Sequence, residues 1–199
     1  MERTEKRAAR AYALNKNEKR ERKMAKRVTT NRRPWHYTGC GLDNVFLVGI
    51  EVERDPKTGE EEPVIPQLAD LHDCIFLNLV SKPGPLGGRE IRYLRRHLLW
   101  TQAETAEKLG FNSAQYFCEL ERKRQGFADI GADFLYRFEC LDAFIRSARG
   151  PRKREARRIL ADLKDILSGI RKPRKARHVT IKRVHTGLVE TWEPAFNVA

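Results

Sequence analysis

The stretch from Thr101 to Glu121 constrains the fold of this chain more than any other segment. Thr-Gln-Ala-Glu-Thr-Ala-Glu-Lys-Leu at 101–109 places strong helix formers behind a residue able to cap them, and Glu104 follows Thr101 at the spacing of a capping box. Gly110 comes next, where a chain that turns sharply needs positive φ. Residues 111–121 read as a second short helix. Ala106, four residues before Gly110, is the small side chain the first helix must offer where the second crosses it. Leu109, Phe111, Phe117 and Leu120 form the apolar wedge between the two helices. Ser113, Ala114, Gln115, Tyr116, Cys118 and Glu119 are left to face outward. Together these features make a helix-turn-helix layout.

The flanking periodicities supply the rest of a domain. Gly88–Leu99 reads as a helix that buries Ile91, Leu94 and Leu98. Residues 130–149 carry Phe134, Leu135, Phe138, Leu141, Phe144 and Ile145 at helical spacing and should close the core. Arg152–Gly169 reads as a further, basic helix with Ile159, Leu160, Leu163, Ile166 and Leu167 on one face. Upstream, Val45–Val52 reads as a single strand, Asp55–Glu60 as a turn, Glu62–Pro66 as a short extended return and Leu68–Val80 as a helix stopped by Ser81–Pro85. A hairpin is expected at Val179–Val184 and Leu188–Trp192. The expected class is mainly α with a small β element. Residues 1–33 form a basic arm, disordered or marginally helical, and residues 34–82 a β-hairpin plus helix module. A five-helix domain spans residues 86–149, and residues 150–199 form a basic helix and tail.

Charge narrows the partners. The net charge of +13 is concentrated in two segments: residues 1–33 hold 13 Lys/Arg against 4 Asp/Glu, and residues 150–178 hold 11 against 3. Residues 34–149 hold 14 against 18. Basic segments around a mildly acidic middle suit phosphate contacts whose affinity falls steeply with salt. A polar, Gln-bearing helix face suits the major groove, where Gln pairs with adenine and small side chains meet thymine methyls. No apolar run approaches the roughly 20 residues of a spanning helix, and the first residues are charged rather than apolar. Cys40, Cys74, Cys118 and Cys140 lack disulfide-rich spacing. A cytoplasmic, nucleoid-associated protein with no membrane partner is therefore expected.

Residues 88–149 resemble the Xre/Cro-type DNA-binding domain of phage repressors, in Thr101-Gln102-Ala103-Glu104-x-Ala106 and in Arg95 seven residues before Gln102. That resemblance implies a lambda-repressor-like fold and an internal ion pair between Arg95 and Glu121. It implies a phosphate contact from Gln102 and base-edge contacts from Ala114, Gln115 and Glu119, bordered by Ser113 and Tyr116. Lys123 and Arg124 complete the expected DNA-binding set. One extra residue after the turn shifts the register of the base contacts by a position. Glu119 could accept from cytosine N4 or penalise wrong sites.

Residues 35–100 resemble a narrower group, the YgiT/MqsA-type antitoxins, in Gly41-Leu42-Asp43-Asn44-Val45, in Ile65-Pro66 with Leu71-His72, and in Gly88–Arg95. The two resemblances cover a little over half of the chain. Such modules often bind zinc through Cys-x-x-Cys, where this chain has Asp55-Pro56-Lys57-Thr58. His36, Cys40, His72 and Cys74 are the remaining soft or imidazole side chains, and a zinc site needs four converging ligands. The module is read as metal-free, with no cofactor.

The expected function is a sequence-specific double-stranded DNA-binding transcriptional regulator, a repressor working as a homodimer, with a cognate toxin as a further partner that the antitoxin resemblance implies. The dimer surface is sought on the apolar faces of 130–149 and 156–170. The alternative is a non-catalytic RNA- or ribosome-associated protein, in which Trp35, His36 and Tyr37 stack on unpaired bases. An enzyme is not expected: His97, Cys118, His178 and His185 lack the partners that catalysis needs, and Gly87-Gly88 reads as a helix entry.

Overall fold

A computed structural model of the protein describes residues 27–30, 33–124, 126–167, 179–186 and 189–194. In chain order the described elements are β1 (Arg27–Thr30), β2 (Trp35–His36), β3 (Val45–Val48), β4 (Glu51–Arg54), β5 (Glu61–Val64), α1 (Leu68–Ser81), α2 (Gly88–His97), α3 (Gln102–Lys108), α4 (Ala114–Arg122), α5 (Ile130–Ser147), α6 (Gly150–Leu167), β6 (Val179–Thr186) and β7 (Val189–Pro194). The class is mixed α/β, mostly helical. The chain divides into two compact units, one within Met1–Arg32 and Gly49–Ile65, the other within Arg33–Val48 and Pro66–Ala199.

The smaller unit holds the antiparallel sheet β1-β4-β5. The expected turn joins β4 to β5: Asp55 Oδ1 accepts from the backbone N–H groups of Lys57 at 2.6 Å and Thr58 at 3.2 Å, and Gly59 takes φ 75°. Within the expected basic arm, Arg27–Thr30 is a strand. Its β-branched Val28, Thr29 and Thr30 pair with β4 rather than entering a helix. Residues 1–26 lie outside the described residues.

Val45–Val52 is two strands, not one. Gly49 adopts φ 73°, and the buried positions change from Val45 and Leu47 to Ile50 and Val52. That change from odd to even numbers is the mark of a break in period-two alternation. The chain leaves one sheet at Val48 and enters the other at Glu51.

In the larger unit the sheet order is β2-β3-β6-β7, with β3 and β6 parallel and the other two pairings antiparallel. The C-terminal hairpin exists where expected, but it is no tail. Val179 pairs with Val45 and Lys182 with Val48, so β6 is an interior strand. Beneath the sheet runs α1, in contact with β6, β7, α2, α5 and α6. Leu71, Cys74, Ile75, Phe76, Leu77, Leu79 and Val80 are all buried, which is why this helix is apolar nearly all round.

Residues 86–149 contain four helices, and the fifth expected of that domain is reached only by counting α6. Helix α5 keeps Leu141 and Phe144 of its expected face inward but is rotated away from the rest of it. Asp133, Tyr136, Arg137, Cys140, Leu141 and Phe144 are buried, while Leu135 is exposed and Phe134, Phe138 and Ile145 are half-buried. A satisfied ion pair explains the rotation. Arg137 Nε donates to Asp133 Oδ2 at 2.7 Å, and its other nitrogens donate to the carbonyls of Val80, Lys82 and Gly84. Asp133 Oδ1 accepts from the Leu86 N–H at 2.8 Å. Polar groups so fully paired can occupy a core that an apolar count would deny them.

Candidate nucleic-acid interface

The helix-turn-helix is built by local rules. Thr101 Oγ1 accepts from the Glu104 N–H at 3.1 Å, and Glu104 Oε2 accepts from the Thr101 N–H at 2.7 Å, closing the capping box of α3. Gly110 turns the chain at φ 70°, and the Phe111 N–H returns to the Ala106 carbonyl at 2.8 Å. Ser113 then caps α4, its hydroxyl accepting from the Gln115 N–H at 3.1 Å. The second helix therefore begins at Ala114. Phe111 packs in the turn, stacked on Tyr116 with ring centroids 4.7 Å apart.

Packing fixes the pair of helices on α2. Phe117 and Leu120 are buried between them, and Ala106 is buried at the crossing. Gly88, at the start of α2, lies against the end of α4. A Cβ there would sit 2.4 Å from the carbonyl oxygens of both Leu120 and Lys123, so only glycine fits.

The expected pair of Arg95 and Glu121 is present and bidentate. Arg95 Nε donates to Glu121 Oε1 at 2.5 Å and Nη2 donates to Oε2 at 3.0 Å. Arg95 Nη1 also donates to the Trp100 carbonyl at 2.7 Å. The bonded Glu121 carboxylate holds the Arg95 guanidinium even further above its usual range, against the opposing effect of burial. Gln102 joins the same node, its Nε2 donating to Glu121 Oε2 at 2.9 Å. One carboxylate thus ties the end of α4 to α2 and to the first residue of α3. Because its amide nitrogen is turned to Glu121, Gln102 has at most one side-chain N–H left for a phosphate.

Outside this node, Ser113, Gln115 and Glu119 are exposed, Tyr116 is 37% exposed, and Ala114 and Cys118 are half-buried. Gln115 Nε2 donates to Glu119 Oε1 at 3.3 Å, which draws the two side chains into one surface group. Lys123 and Arg124 are exposed beyond the C-terminus of α4, at the opposite end from Ser113. The structure also exposes Arg92 and Arg96 on α2, which sequence reasoning does not single out. Their signal is a helical spacing shared with Arg89, which is itself engaged with Asp43.

No protein-family model, curated protein or solved structure matches the chain.

The four candidate zinc ligands have other partners or surroundings. His36 Nε2 bonds the Asp43 carbonyl at 3.0 Å, Cys40 Sγ donates to the Tyr37 carbonyl, and Cys74 is buried on α1. Burial pushes the Cys74 thiol up to about 12. Among the described residues no three His, Cys, Asp or Glu side chains are grouped to hold a metal.

His72 lies between two tyrosines, with Nε2 3.2 Å from the Tyr37 hydroxyl and Nδ1 3.0 Å from the Tyr93 hydroxyl. The Tyr93 hydroxyl also donates to the His72 carbonyl at 3.1 Å. A neutral ring with its proton on Nδ1 satisfies all three contacts. Burial, and then the nearby His97, lower the His72 pKa below its ordinary 6.5. The unfolded chain therefore binds the extra proton first, and the contribution of His72 to stability declines as pH falls below 6.5. Urea unfolding at a series of pH values is expected to show a shallower decline below that point for His72→Gln than for the parent. Identical pH slopes would mean that the imidazole charges as easily folded as unfolded.

Proposed function

We propose that the chain is a sequence-specific double-stranded DNA-binding transcriptional regulator, a repressor, that reads base edges through the N-terminal half of α4. The carrying observation is the Arg95–Glu121–Gln102 node, buried on the inner side of a helix pair whose outer side presents Ser113, Gln115 and Glu119. A locked helix pair holds such side chains in one register, which direct readout requires. Gln115 and Glu119 are the base-reading groups, and Gln102, Lys123 and Arg124 the phosphate contacts. Homodimerisation would place two copies of α4 on half-sites about one helical turn apart.

In this reading the protein is not an enzyme, works at the nucleoid and acts without a cofactor. A cognate toxin stays within the proposal as a partner to be sought. Among the described residues no helix is long and apolar enough to cross a membrane. The RNA-binding alternative loses part of its stacking platform, because Tyr37 is buried against His72 and His36 is stacked on Phe46.

Selection of preferred duplexes from a random pool, followed by binding at several salt concentrations, tests the reading. Gln115→Ala is expected to weaken the selected site by about 1–3 kcal/mol while leaving random duplex binding unchanged. Its side chain is exposed, so folding should be unaffected. Equal discrimination by parent and variant, or a preference for single-stranded RNA over every duplex, would overturn the proposal.

A further inference from the structure

A cleft of about 800 Å³ opens between the C-terminal half of α1, the Lys82–Pro85 loop, the start of α5 and the outer part of α6. Its walls are apolar, formed by Leu77, Phe134, Ile159, Leu163 and Ile166, and Ile130 stands 68% exposed at its edge. The size and apolar lining fall within the range of small-molecule sites. The charged groups around it are almost all engaged. Arg137 is bonded to Asp133 and to three carbonyls, Lys82 to Glu90, and Glu155 to Arg152. Asp162 also has an interaction of its own. Among the described residues none pairs with Arg158, which lines the cleft and is exposed. Arg154 and Arg157, both exposed on the same helix, add positive charge beside it.

We propose that this cleft binds an amphipathic carboxylate of the fatty-acid type, with its chain against the apolar walls and its single anionic head on Arg158. The charge pattern selects this occupant. A neutral apolar molecule would leave Arg158 unused, and a polyanion would leave the walls unfilled. A second copy docked with its two-fold axis close to Arg158 would set Arg154, Arg157 and Arg158 against their own counterparts, a like-charge contact that disfavours that arrangement.

The test uses the full chain with no DNA present, so its outcome is independent of the DNA-binding reading. The fluorescent probe anilinonaphthalene sulfonate is bound first, then displaced by decanoate or by decanol. Decanoate is expected to displace it at least about tenfold more tightly than decanol, because a charged hydrogen bond is made only by the acid. Arg158→Glu should remove most of that advantage and leave decanol binding as it was. Ile130→Gln, a change at an exposed wall residue, should weaken both ligands together. Equal displacement by acid and alcohol, or an Arg158→Glu protein that binds decanoate like the parent, would overturn the proposal. So would sedimentation showing a dimer that excludes the probe and that Ile130→Gln dissociates, since a second copy would then be the occupant.

Discussion

Arg95→Ala is expected to remove about 3 kcal/mol of folding stability, the size of effect seen when one partner of a buried ion pair is deleted. The Arg95 and Glu121 side chains are only 12% and 5% exposed. Deleting the guanidinium leaves Glu121 with Gln102 as its sole remaining hydrogen-bond donor among the contacts of the node, and it also strips the Trp100 carbonyl of its donor. An exposed pair would lose no more than about 1 kcal/mol, so the measurement separates the two cases cleanly. Because the bonded Glu121 carboxylate raises the folded pKa of Arg95 above its ordinary, strongly basic value, the contribution of the pair through that group is fully present across the neutral and mildly alkaline range. The loss should therefore be as large at pH 8 as at pH 7. The double variant Arg95→Met/Glu121→Leu is expected to be more stable than Arg95→Ala, since removing both charges abolishes the stranded carboxylate. Urea unfolding of the three proteins supplies the comparison. A parent-like midpoint for Arg95→Ala would mean that the node contributes little to holding α2, α3 and α4 together.

The parts legible in the sequence were those written by local rules. Thr101 with Glu104, Gly110 in the turn, Asp55 opening the β4–β5 turn and the stop at Ser81–Pro85 each depend on neighbours a few residues away. The pairing of Arg95 with Glu121 was legible for a different reason, through resemblance, and the geometry bears it out. What escaped was non-local or polar. Nothing near Val179 indicates that it will pair with Val45, and the parallel register of β3 with β6 follows from burial across the whole larger unit. At α5 only Leu141 and Phe144 follow the apolar periodicity inward, because Asp133 and Arg137 satisfy each other and the carbonyls at the end of α1, which no such periodicity can register. Gly49 was the missed local sign, with inward residues changing parity across it. At the candidate interface the outer residues of α4 were legible from their polarity. The inward turn of Gln102 was not, since it depends on where Glu121 lies in space.

Trp192→Ala is expected to cost about 4 kcal/mol, within the range for truncating a buried tryptophan. Its side chain is 1% exposed, and its Nε1 donates to the Pro66 carbonyl at 2.9 Å. Its backbone binds at both ends of the same junction. The Trp192 N–H donates to Asp70 Oδ2 at 3.0 Å, and its carbonyl accepts from Arg152 Nη2 at 2.6 Å. Arg152 in turn holds Asp70 with two bonds, 2.7 and 2.9 Å long, and Glu155 with a third at 2.9 Å. The start of α1, the first turns of α6 and the strand β7 therefore meet at one residue, Trp192. Trp192→Phe should lose less, on the order of 1–2 kcal/mol, because it keeps most of the apolar area and forfeits the bond to Pro66. The strand pairing between β3 and β6 closes a very long loop, so little of it would persist once its packing on α1 is weakened. Hydrogen exchange can follow the consequence residue by residue. If α1 couples the sheet to the helices, amides in α2 and α5 of Trp192→Ala should exchange faster by the same free energy as those in β6, because both would open only with the whole unit. Faster exchange confined to β6 and β7 would instead make the hairpin a separately opening element, and the helix-turn-helix would then owe its stability to α2, α5 and the Arg95–Glu121 node alone.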